Sequence, residues 1–155
     1  MATRAPRVFL ELVEGADVRH RTPAQVSEGT LRRSMAIAEA LFHSDAGPVD
    51  PARIAWLREE FKSFLGHSGP WARFLAGSCA VFTTTLGPLL SFQFRRFGSL
   101  PIDRRLRVLE RLEASPFALV LLGIKTMLCI LYYEQPGAAS ELGFDGLCKS
   151  GRERA

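Results

Sequence analysis

His20, His43 and His67 are the residues of this chain best suited to bind a metal or move a proton near neutral pH. Each stands alone. None is followed at the i+3 or i+4 helical spacing by an acidic partner that would make a metal pair, so a solvated or helix-ending role accounts for all three. Glu59, Glu60 and Asp103 form no carboxylate pair recognisable from spacing and read as parts of solvated helix faces. Cys79, Cys129 and Cys148 form neither a C-x-x-C pair nor a His/Cys cluster with zinc spacing. Their odd number without a framework points to a reducing compartment. The chain has no G-x-S-x-G, phosphate loop or G-x-G-x-x-G, and no βαβ unit in which a flavin or nicotinamide could sit. The expectation is a chain with no catalytic residues, no metal ligands and no cofactor site of its own.

What remains is chemistry of contact. The net charge is +4 and the basic residues are mostly arginine, gathered at Arg95-Arg96 and Arg104-Arg105-x-Arg107. A nucleic-acid surface is a weaker account of them than an amphipathic helix face, because Asp103, Glu110 and Glu113 interleave with the cations. Trp71, Phe92, Phe94, Phe97, Tyr132 and Tyr133 accumulate near helix ends, several beside arginines. Aromatic and arginine side chains are the types enriched where proteins bind one another.

The elements that would position these residues are helical. Thr22-Pro23, Asp50-Pro51 and Ser115-Pro116 each place a capping side chain before a proline, which predicts three helix starts, and Ser99-Leu100-Pro101 predicts another. Ile54, Leu57, Phe61, Phe64 and Leu65 share one helical face, as do Ile102, Leu106, Leu109 and Leu112, and Leu31, Met35, Ala38 and Phe42. No run alternates as a strand would. The fold predicted is all-α, a bundle of about five or six helices with two central apolar helices. A length of 155 residues suits one domain, expected over 9–148 between flexible ends at 1–8 and 149–155.

The two apolar stretches, 74–94 and 117–133, raise a second reading, a membrane hairpin. The first is interrupted by Ser78, Thr83, Thr84, Thr85, Gly87 and Pro88, and the second carries Lys125 near its middle. A lysine at mid-bilayer costs about 2.5–3.5 kcal/mol even on lenient insertion scales. Burial within a bundle, with the Lys125 ammonium at the rim, is the preferred reading.

The segment from Arg95 to Gly146 carries a resemblance. Arg95-Arg96-Phe97, Leu100, Arg104-Arg105, Ser115, Lys125-Thr126, Tyr132-Tyr133, Pro136 and Leu142-Gly143-Phe144 follow in one order at one spacing. This resembles the small helical partners of glucose-methanol-choline flavoproteins, namely the family of gluconate 2-dehydrogenase subunit 3, and is similar to the N-terminal extension of long-chain alcohol oxidases. Ala138-Ala139-Ser140 stands where that pattern carries a tryptophan. The resemblance implies a non-catalytic accessory or maturation subunit. Its partner would be the large subunit of an FAD-dependent alcohol, sugar or sterol dehydrogenase, and the partner would hold the FAD. The expected contact residues are Arg95, Arg96, Phe97, Lys125, Tyr132, Tyr133 and Phe144. Met1–Glu14 lacks a long apolar run, so the expected location is cytoplasmic, with membrane association left open.

Overall fold

The computed structural model describes residues 23–44, 47–92, 95–135 and 137–138. They form five α-helices: α1 (Glu28–Leu41), α2 (Pro51–His67), α3 (Pro70–Leu90), α4 (Ile102–Glu113) and α5 (Ala118–Glu134). A 3₁₀ turn at Phe97–Ser99 leads into α4. Among the described residues the sole β-type pairing is an isolated bridge between Ser44 and Gly47. The all-α bundle expected from the sequence is therefore what the chain forms.

The helix starts follow the capping logic unevenly. Asp50 caps α2 as expected, its carboxylate accepting from the Ala52 N–H at 2.8 Å with Pro51 in the first turn. Ser115 accepts from the Phe117 N–H at 3.2 Å, but its proline lies in a turn and α5 begins at Ala118. Pro23 starts no helix. Residues 23–27 are non-helical, and the Ala24 N–H donates to the Gly66 carbonyl at 3.0 Å. The segment lies across α2 at a glycine: a Cβ on Gly66 would stand 3.2 Å from Pro23 Cβ. α1 then starts after Ser27, whose side chain makes no capping hydrogen bond.

Leu31, Ile37, Ala38, Leu57, Phe61, Val108, Leu112, Leu121, Ile124 and Leu128 form the fully enclosed core. α1 packs against all four other helices and buries Leu31, Ser34, Met35, Ile37, Ala38 and Ala40, so it is the most enclosed element. α4 divides cleanly, with Val108, Leu109 and Leu112 inward and Asp103, Arg104, Arg107, Glu110 and Arg111 in water.

α3 and α5 are the two apolar helices, and α3 touches every other helix. They are less enclosed than the sequence implied. Each buries one stripe and leaves another, equally apolar, in solvent. α3 comes close to α4 at Gly87, where a Cβ would stand 2.7 Å from Val108 Cγ1. Pro88 follows inside the helix and cannot donate to the Thr84 carbonyl. Thr84 and Thr85 donate their hydroxyls at 2.7 Å to the carbonyls of Ala80 and Val81, four residues back. No described helix is long and apolar enough to cross a membrane.

Candidate interaction surface

Along α3 the exposed positions Trp71, Phe74, Leu75, Ser78, Val81, Thr85 and Leu89 recur at three- and four-residue intervals, which makes them one face. Along α5 the corresponding positions are Leu119, Leu122, Thr126, Ile130 and Tyr133. The two stripes flank a seam where Phe82 packs on Phe117 with ring centroids 5.3 Å apart, and where a Cβ on Gly123 would lie 3.5 Å from Cys79 Sγ. Trp71 is 71% exposed and Leu119 78%, values that place large apolar surfaces directly in water. Trp71 and Phe74 meet edge to face at 5.6 Å.

Charge is nearly absent from this face. Lys125 forms an ion pair with Glu113 of α4, so its ammonium is met within the chain and its stem lies along the bundle. Burial pushes the Cys79 thiol above the ordinary thiol range. It does the same to Cys129, where the Lys125 charge pulls partly back.

The predicted contact residues do not form one patch. Arg95 and Arg96 are exposed. Phe97 is 1% exposed and belongs to the core rather than to a contact surface. It is held there by Arg105, which donates from Nε to the Leu100 carbonyl at 2.8 Å and from Nη2 to the Gly98 carbonyl at 2.7 Å. The same guanidinium reaches Glu39 of α1 at 2.7 Å. The anchoring arginine of this corner is thus Arg105, a member of the Arg104-Arg105-x-Arg107 cluster and not one of the expected contact residues. Tyr132 is also buried, stacked on Phe42 at 3.8 Å, with Tyr133 edge-on to both rings at 5.3–6.2 Å. Phe144 lies outside the described residues.

Beside these aromatics is an open concavity of about 620 Å³, lined by Phe42, His43, Asp50, Arg53, Tyr132 and Tyr133 among others. Three of its polar side chains already bond within the chain: Asp50 caps α2, and Arg53 donates to the Tyr132 hydroxyl at 3.5 Å. Among the described residues no group of three or more His, Cys, Asp or Glu gathers as a metal site would require. What the arrangement offers is adhesion: a broad uncharged surface with aromatic side chains standing in solvent. No family model, curated protein or solved structure matches the chain.

Proposed function

We propose that this chain is a non-catalytic accessory or maturation subunit that docks through the α3/α5 face onto a larger protein and stabilises it. The observation that carries the proposal is the double row of solvent-exposed apolar side chains, from Trp71 to Leu89 on α3 and from Leu119 to Tyr133 on α5. Soluble monomers rarely leave a contiguous apolar patch of that kind uncovered unless it binds something. The partner follows from the resemblance over Arg95–Gly146: the large subunit of an FAD-dependent dehydrogenase of the glucose-methanol-choline class, which would hold the flavin.

The test is co-expression with such a flavoprotein from the same genome. A stable heteromer should form in which the flavoprotein is more soluble and better loaded with FAD than when made alone. Equal yield and FAD content with and without this chain, and no co-purification, would overturn the proposal.

A further inference from the structure

We propose that residues 7–13 of this chain occupy the groove between α2 and α5 and compete there with a docked partner for Ile130. The occupancy stands on its own observations, and the competition rests on the reading of the α3/α5 face as a docking surface.

The groove is open, measures about 280 Å³, and is lined by Glu60, Phe64 and His67 of α2 and Met127, Ile130 and Glu134 of α5, among others. Its apolar walls are accessible, with Phe64 43% and Ile130 57% exposed. Its two carboxylates lack cations. Glu60 is half-buried, and among the described residues neither it nor Glu134 makes an ion pair or hydrogen bond. Asp103 and Glu110 are also without an ion pair, but both have Arg107 one turn away on α4. Glu60 has only Trp56, Leu57, Ser63 and Phe64 at that spacing. Glu134 is the last residue of α5, at the negative end of the helix dipole, and that turn holds no basic residue. His67 lies two turns from Glu60, about 10 Å along the helix, and its Nδ1 donates to the Ser63 carbonyl at 2.9 Å. Apolar walls with two uncompensated carboxylates fit a segment in which arginine adjoins apolar side chains.

Residues 7–13 are such a segment, and they are tethered to this place. They lie outside the described residues and read Arg7-Val8-Phe9-Leu10-Glu11-Leu12-Val13, with Arg4 ahead, so that arginine outnumbers Glu11. At the other end of the tether Pro23 packs on Gly66, the neighbour of His67, and the Ala24 N–H donates to the Gly66 carbonyl at 3.0 Å. The chain is thus fixed one residue from the wall of the groove. Residues 14–22 can bridge up to about 30 Å, whereas Glu60 and His67 bound a stretch of only about 10 Å. So short a tether gives its segment an effective concentration on the order of millimolar, which a separate molecule would have to match. That favours this chain's own residues over a second copy or a foreign peptide. Ile130 also belongs to the exposed stripe of α5, so a segment covering it and a partner on the α3/α5 face exclude one another.

The experiment uses the full chain with the photo-crosslinking residue p-benzoylphenylalanine in place of Phe9. Irradiation should give a product of one chain's mass, with crosslinks mapped by mass spectrometry to residues 60–67 and 127–134. The yield should fall several-fold with Ile130→Asp. It should also fall with Arg4→Glu and Arg7→Glu together, and recover in low salt when Glu60→Arg and Glu134→Arg are added. Crosslinks elsewhere in the chain, or a yield that Ile130→Asp leaves unchanged, overturn the occupancy and leave the docking reading intact. A product of twice this chain's mass overturns it by naming a second copy as the occupant. On co-expression with the flavoprotein, Phe9→Asp should raise the amount captured several-fold, and unchanged capture overturns the competition. No capture by any variant overturns the docking reading and the competition with it, while the crosslink still decides the occupancy.

Discussion

Gly87 illustrates how one side chain, or its lack, sets a helix crossing. With Val108 Cγ1 standing 2.7 Å from where a Cβ would sit, Gly87→Ala forces α3 and α4 apart or drives Val108 from its rotamer. The expected cost is about 1–3 kcal/mol, as for other overpacked cores, read as a lower urea midpoint with unchanged slope. The thiols make a second residue-level prediction. Cys79 and Cys129 have raised pKa values, so protons leave them more readily in the unfolded chain than in the folded one. Their contribution to stability is whole below the ordinary thiol range and is lost as pH rises through the folded values. Alkylation by iodoacetamide at pH 7.5 should therefore be slow for both in the native protein and rapid in urea, when followed by mass spectrometry. Phe97 shows where reading residues from the chain falls short. Its position beside two arginines resembles an exposed binding corner, yet what places it inside is Arg105, eight residues on, bonding back to two carbonyls of the turn. Sequence spacing carries no sign of that bond.

At the scale of elements, stability and docking separate onto opposite faces of the same helices. Leu121 and Leu122 are neighbours on α5, one fully buried and the other more than half exposed. Leu121→Ala should cost about 2–5 kcal/mol, whereas Leu119→Asp and Phe74→Asp should stay within about 0.5 kcal/mol of the parent and abolish partner capture. Thermal melts and co-purification on the same variants check both halves. A stripe variant that unfolds the bundle would show that these positions belong to its core. Legibility also divides by element. α2 was readable because Asp50-Pro51 fixes its start locally, and α4 because apolar and charged residues alternate at helical spacing along it. Pro23 misled because a cap-and-proline pair marks only a local preference. A tertiary bond from Ala24 to Gly66 outcompetes it. α3 and α5 are apolar nearly all round, so periodicity could not tell an enclosed helix from one with an open side.

Taken whole, the bundle is lopsided. Its charges sit mainly on α1, α2 and α4, while α3 and α5 present neutral apolar surface. The fold class was recoverable from helical spacing, which acts within a few residues. The open face was not, because it depends on which helices stand next to one another and which faces no other described helix covers. That bare side also has a cellular consequence, concerning abundance. An unaccompanied copy displays the kind of greasy surface that chaperones and proteases patrol for, so its lifetime should hang on finding a mate. In cells deleted for the partner, a pulse-chase should show this polypeptide degraded several-fold faster. The Leu119→Asp, Phe74→Asp double variant, wetter on that side, should persist. Synthesis of the two proteins would then need no matched control, because surplus copies of this one would remove themselves.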